Sequence, residues 1–467
     1  MKTISTGKRG LSLILLALLA ACSASLPPIE PEKLPPTPAA YKEGNFAIAA
    51  PAAAQPRGEW WKAFSDPTLD RLIERADSGN TSIRIATARL TQARAFVRAT
   101  DAARMPQVDV SAGAARGRNF VNGVPVQGTQ SLFTAGADLS YELDLFGRLR
   151  QASDAAQLDA KASEGLLQSA RLLVQADVAQ TYLALRALDR ERALVRSTVG
   201  AYRETLALTE RRWRAGDAAE LDVARARTEV AATESDAIAL DRQRAELEHA
   251  LAVLIGEPAS TFTLEPAEWT TLLPEIPAGV PSTVLTRRPD VSAAQNSLLA
   301  AQTRVGVAKA AWFPSFALTA SGGYASTDLS DLFKWSSRAW GLGLLGSLPV
   351  FDGGRRKAGI ESAGAEFDIA IARYREQVLV AFKDVEDQLA ALRLLEEQTE
   401  AQNRAVESAT RSTTLSEVRY RNGYVSQLDL LDAQRSELRN RRQALQVRSA
   451  QYQSTVALVR ALGGSWN

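Results

Sequence analysis

Two hydrophobic periods alternate along the chain, and the whole alternation occurs twice. Residues 81 to 104, and again 290 to 312, read as helices that stop ahead of Pro106 and Pro314, because a proline disfavours helical backbone in the residue before it. Strand patterns follow each. The run Ala137-Asp138-Leu139-Ser140-Tyr141-Glu142-Leu143-Asp144-Leu145 alternates apolar and polar without a break, and residues 107–115, 315–325 and 338–350 alternate more weakly, with small residues mixed in. Period two sends the two classes to opposite faces. Segments of about ten such residues suit a membrane β-barrel with an apolar outside and a wet lumen, which would take Asp138, Glu142 and Asp144. A soluble sheet with one solvated face has the same signature.

Beyond the strands lie two proline-free segments, 150–214 and 356–421. At about 1.5 Å per residue each would reach roughly 100 Å as one helix, too long for a compact domain. Apolar positions step by four and three through Val174, Val178, Thr181, Leu185 and Leu188, and again through Ala381, Val385, Gln388, Leu392 and Leu395, which is a coiled-coil seam with some polar or small members. A turn at Gly216 or Gly423 then starts a return helix.

The two copies stand 207 residues apart: Asp177 matches Asp384, Arg186 Arg393, Gly216 Gly423, Leu221 Leu428 and Asp222 Asp429. Phe146-Gly147-Arg148 is answered by Phe351-Asp352-Gly353-Gly354-Arg355. Duplication places a first repeat at 58–267, with strands at about 106–146 and a helical hairpin at about 150–255. The second is 268–467, with strands at about 314–351 and a hairpin at about 356–462. The ordered part begins at Trp60-Trp61, followed by Leu69, Leu72, Ile73 and Ala76 at helical spacing.

Upstream is an address. Lys2, Lys8 and Arg9 precede an apolar run from Leu11 to Leu19, which fits a signal peptide over residues 1–21 and is too short to span a bilayer. Leu19-Ala20-Ala21-Cys22 resembles the lipobox of bacterial lipoproteins, which implies acylation of Cys22; Ser23, in place of Asp, points to the outer membrane. An ordinary signal peptide with an incidental cysteine is the alternative. Residues 22–57 hold eight prolines, among them Pro27, Pro35 and Pro51, and read as an extended tether. No later run of 18 apolar residues occurs, so a membrane crossing would need strands.

Composition narrows the chemistry. With 55 basic and 53 acidic residues among 467, there is no net field to attract nucleic acid. The single cysteine, Cys22, and the single histidine, His249, rule out an internal disulfide and a zinc site of the Cys and His type. His249 has neither nucleophile nor second ligand near it in sequence, and Gly353-Gly354 is too short for a phosphate loop. No enzyme and no cofactor are expected, apart from the covalent lipid.

Residues 60–73, Trp60-Trp61-Lys62-Ala63-Phe64-Ser65-Asp66-Pro67-Thr68-Leu69-Asp70-Arg71-Leu72-Ile73, resemble the opening of the TolC-like outer-membrane efflux proteins, in particular their lipoprotein branch of NodT-type and OprM-like factors. Arg288-Pro289-Asp290, Tyr420-Arg421-Asn422-Gly423 and Leu428-Asp429-Leu430-Leu431-Asp432-Ala433-Gln434 carry the same resemblance. It implies a mainly α fold with membrane β-barrel strands, a homotrimer in which four strands per chain close a 12-stranded barrel, and a tunnel of long helical hairpins. Four strands cannot close a barrel alone, and an open edge is not tolerated in lipid, so subunits would have to share it.

The resemblance also implies a periplasmic gate. Asp429 and Asp432, with Asp222 in the other half, would form rings of carboxylates that draw cations and raise one another's pKa. For Asp222, and for its neighbour Asp217, complementing a helix dipole is an equal reading. The turns carrying Arg214, Gly216, Arg421 and Gly423 would meet a periplasmic adaptor, although ordinary turn chemistry explains the glycines as well. Val425 stands where some members carry a basic gate residue, which leaves the latch open. The functional expectation is the exit duct of a tripartite pump, with an adaptor and an inner-membrane transporter of the resistance-nodulation-division type. A duct for type I protein secretion and a lipid-anchored coiled-coil scaffold without a pore are the alternatives.

Overall fold

The computed structural model describes residues 26–43, 58–118, 120–121, 124–125, 128–276, 285 and 287–464; Cys22 and the leader lie outside the described residues. Seven helices of eight or more residues occur among them. Helix α1 (Pro67–Gly79) starts where Asp66 accepts hydrogen bonds from the Thr68 and Leu69 amides and Pro67 takes the first helical position, and it buries Leu69, Leu72, Ile73 and Ala76. Helix α2 (Thr81–Ala102) is capped by Asn80, whose Oδ1 accepts from Ser82 and Ile83. It ends two residues earlier than expected, as does α5 (Pro289–Ala310), because the last residues before each proline tighten into three-residue turns.

Helices α3 (Arg148–Ala215) and α6 (Arg355–Arg421) are uninterrupted over 68 and 67 residues, and return as α4 (Glu220–Ile255) and α7 (Gln427–Ala461). The first seam buries Val174, Val178, Leu185 and Leu188, while the second buries Ala381 and Val385 and loosens at Leu392 and Leu395.

The chain divides into two compact units. The first comprises 1–34, 89–164 and 293–376 and holds one antiparallel sheet in the order β1 (Gln107–Gly117), β4 (Gln130–Leu143), β5 (Ser315–Ser326), β6 (Arg338–Ser347). A small hairpin of β2 (Phe120–Val121) and β3 (Val124–Pro125) lies between its first two strands in sequence. Pairing of β4 with β5 joins the two sequence repeats into one sheet.

Register assigns the faces. One row runs Asp109, Asp138, Ser321, Gly341 and the next Gln107, Ser140, Thr319, Gly343. On the opposite face Val108, Leu139, Ala320 and Leu342 share a row, as do Val110, Ala137, Gly322 and Trp340. That apolar face is bare, with Val110, Trp340 and Leu342 each about four-fifths exposed at 84%, 79% and 79%.

Two expectations for this unit need correction. Strand β4 ends at Leu143, so Asp144 does not face a lumen: its carboxylate accepts from the Leu149 and Arg150 amides at 3.0 and 2.7 Å and caps α3. Asp352 repeats the cap at α6, accepting from the Gly354 and Arg356 amides, so β6 stops at Ser347 short of the expected 350. Glu142 is taken up by Arg148 at 2.7 Å. In both halves the free N–H groups of a helix start outbid the strand pattern for the nearest acid.

The tether also differs from a free extended chain. Ile29 packs on the cluster Leu298, Ala301, Val305, Phe367 and Ile371, and the Pro27 carbonyl accepts from Gln302 at 2.7 Å. One short 3-10 turn, Pro31–Lys33, forms there with proline at its start, contrary to the expected absence of any regular element, and the prolines leave carbonyls for neighbouring side chains to use.

The second unit comprises 35–88, 165–292 and 377–467. Its strap residues Lys42 and Glu43 donate their amides to the Glu386 carboxylate at 2.7 and 3.1 Å, and Glu43 pairs with Arg393 at 2.9 Å. Phe64, Leu69, Ile73, Tyr452 and Leu458 form its centre, with Trp269 against Tyr452 at 4.8 Å between rings. Buried Asp189 gathers Arg186, Arg192 and Arg244 at 3.1, 3.2 and 2.8 Å, and Arg186 also donates to the Glu265 carbonyl.

Candidate functional site

The turns that close the two helical hairpins share one local geometry. Gly216 and Gly423 take φ of 85° and 78°, and the next amides, Asp217 and Tyr424, reach back to the Arg212 and Arg419 carbonyls at 2.8 and 2.9 Å. Glycine is needed there because a left-handed residue closes each helix while satisfying its last carbonyls. Among the described residues, chain neighbours aside, no atom lies within 4 Å of where a Cβ would stand at either glycine, so the turn backbone is open to a partner. Arg214 is exposed and pairs with Glu210 at 3.6 Å; the Arg421 side chain is also exposed and enters no ion pair among the described residues.

The two hairpin ends are fastened to each other. The fully buried Thr209 hydroxyl of α3 meets the Tyr420 hydroxyl of α6 at 3.0 Å. Arg212 donates to the Tyr420 and Arg421 carbonyls at 2.9 and 3.0 Å and lies over the Tyr420 ring, 4.6 Å from its centroid. A guanidinium on the last carbonyls of a helix is favourable, since that end carries partial negative charge. The return helices add Arg435 to Glu229 and Arg442 to Asp236.

Of the three expected gate carboxylates, Asp429 and Asp432 are exposed on α7 with Leu430 and Leu431 buried between them. Asp429 is the third residue of its helix and completes a capping box: its Oδ2 accepts from the Ser426 amide at 3.1 Å and the Ser426 hydroxyl at 2.7 Å. The Ser426 hydroxyl, then the Ser426 amide, holds the Asp429 carboxyl below its usual range. This is opposite to the rise expected of a crowded ring, because within one chain the cap supplies donors and no second Asp429 is near. Asp432 pairs with Arg435 at 3.5 Å. Asp222 holds the same third position in α4, half-buried and 3.7 Å from Arg225, but its cap residue is Ala219, which has no side chain to complete a box.

Thr209 and Arg212 escaped the sequence reading. Their matches in the other repeat are Ser416 and Arg419, and nothing in either stretch marks which member crosses to the other hairpin. His249 is exposed on α4. No group of three or more His, Cys, Asp or Glu capable of holding a metal occurs among the described residues.

The sequence model of outer membrane efflux proteins matches residues 72–257 and 280–464, one stretch in each repeat. The chain belongs to the outer membrane efflux protein family. Its relatives cover it nearly end to end. Solvent efflux pump outer membrane protein SrpC of Pseudomonas putida is 33% identical over 471 residues, 98% of each chain. Cation efflux system protein CusC of Escherichia coli is 30% identical over 449 residues, covering 96% of this chain and 97% of CusC. Among solved structures, the outer-membrane channel OprN superposes with a TM-score of 0.85 at 32% identity, covering 95% of this chain and 99% of that one. The efflux-protein fold thus accounts for the helical hairpins and the sheet together, and makes this a TolC-like channel chain rather than a poreless coiled-coil scaffold.

Proposed function

We propose that this chain is the outer-membrane exit duct of a tripartite efflux pump, through which small molecules pass passively to the outside. The observation that carries the reading is the sheet, whose two faces are opposite in chemistry. One is bare and apolar, fit for lipid; the other presents Asp109, Asp138, Ser140, Thr319 and Ser321, fit for water. Strands β1 and β6 end the sheet, and lipid does not tolerate such edges, so three copies sharing them in a 12-stranded barrel is the closed solution. A lipid on Cys22 would anchor each chain, with no other cofactor.

The helical turns are the inner entrance. Arg214, Gly216, Arg421 and Gly423 offer an exposed backbone to an adaptor, which would couple the duct to an inner-membrane transporter of the resistance-nodulation-division type. Asp429 and Asp432 supply three copies each to the constriction, with Asp222 nearby. Since Val425 offers no charge, the fastening of Tyr420 by Thr209 and Arg212 is the hold that opening must release. Relatives named for solvents and for cations support a substrate among small organic molecules or metal ions.

Reconstitution in planar bilayers tests the reading. The variant Asp429→Ala with Asp432→Ala should conduct more and prefer cations less than the parent; unchanged selectivity removes these residues from the gate.

A further inference from the structure

The apolar face of the sheet carries two charges among its described strand residues, and both are arginines. Arg116 stands on β1 and Arg338 on β6, each at the end of the sheet nearest the strand-connecting loops 118–129 and 327–337. No acidic residue shares that face along β1, β4, β5 or β6. Neither arginine enters an ion pair among the described residues; the acid next in sequence to Arg338, Asp331, is held by Lys334 at 2.6 Å. The guanidinium of Arg338 lies over the Trp335 ring and donates through Nε to the Trp335 carbonyl at 3.3 Å, and its other N–H groups make no hydrogen bond among the described residues. Around it Phe333, Trp335 and Trp340 are exposed by 72%, 77% and 79%, with Phe333 set edge-on to Tyr324.

An unpaired arginine on the lipid side of a barrel is costly at mid-bilayer and nearly free at the interface, where aromatic side chains also gather. The free fork of a stacked guanidinium matches a phosphate in two parallel hydrogen bonds. We propose that Arg338 on its Trp335 platform, together with Arg116, binds the phosphate of a lipid headgroup at the loop-side membrane interface. The inference rests on the sheet being a barrel wall. In a closed barrel β6 of one copy lies beside β1 of the next, so Arg338 and the neighbouring copy's Arg116 stand on adjacent strands at the same end, and assembly completes the site.

The test uses the full lipidated trimer in neutral detergent, titrated with bis-phosphorylated lipid A and followed by native mass spectrometry, with conductance measured on the same preparations. Arg338→Gln should weaken lipid A binding roughly fivefold, and Arg338→Gln with Arg116→Gln roughly 25-fold, the factor of about five per basic residue near an anionic surface. Dephosphorylated lipid A should bind no better to the parent than to the double variant. Unaltered lipid A affinity in a conducting double variant overturns the phosphate site alone. Displacement of lipid A by an equal concentration of inorganic phosphate overturns the lipid as its source. A parent chain that fails to conduct counts against the barrel itself.

Discussion

Asp66 shows how much one side chain decides in the second unit. One of its oxygens caps α1, and the other receives the Tyr182 hydroxyl at 2.7 Å and the Thr271 hydroxyl at 2.8 Å. Burial, with Asp66 adding to it against Arg186, pushes the Tyr182 phenol up to about 12. A group with a raised folded pKa contributes stability that is complete below its unfolded value, near 10, and is lost as pH climbs through the folded value. Melting temperature should therefore fall between about pH 10 and 12, and less steeply in Tyr182→Phe than in the parent. Asp189 is a second such residue. Removing its charge in Asp189→Asn leaves the buried Arg186 without its carboxylate and takes one partner from Arg192 and Arg244, which keep Asp241 and Glu248, and a loss of about 3 to 5 kcal/mol is expected in denaturant titration.

At the scale of the element, helix ends hold most of what distinguishes one stretch from another. Gly423 and Gly256 both take left-handed backbone, at φ of 78° and 79°, but their surroundings differ. At Gly423 a new methyl meets nothing, so Gly423→Ala should cost only the backbone strain, about 1 kcal/mol. At Gly256 the methyl would run into the Gly79 carbonyl where α1 and α4 end against each other, so Gly256→Ala should cost clearly more. Paired thermal melts that gave equal losses would contradict this account of the α1 and α4 ends. The long helices themselves were legible in the sequence, because an unbroken 4-3 apolar step without proline has no other regular solution. Asp144 was not legible, since its alternation with Leu143 and Leu145 continues the strand pattern while its carboxylate serves the following helix.

For the whole molecule, the duplication is read more directly than its consequences. Matching glycines and aspartates located both hairpins, yet the repeats are unequal where they meet: Tyr420 is buried against Thr209 while its counterpart Trp213 is exposed. This asymmetry assigns the fastening to one hairpin pair. In Tyr420→Phe the bond to Thr209 is lost and Arg212 keeps its carbonyls, so the closed form should weaken by about 1 kcal/mol, a roughly fivefold rise in the open fraction. Single-channel recordings measure that ratio, and an unchanged open fraction would remove the hydroxyl pair from gating.

The sequence by itself determined the long helices, the main strands, their order and their duplication, since periodicity, proline placement and turn glycines act through local sterics that any context must obey; the family came from the resemblance of its motifs. Only the tertiary structure decided which partners the polar groups choose. It turned Asp429 into half of a capping box, took Glu142 for Arg148, and tied residues 26–43 down where composition alone describes a free tether. The bonds that hold residues 26–43 join positions hundreds of residues apart, while the Asp429 cap and the Glu142 pair, three and six residues apart, rest on side-chain choices; no hydrophobic period records either kind.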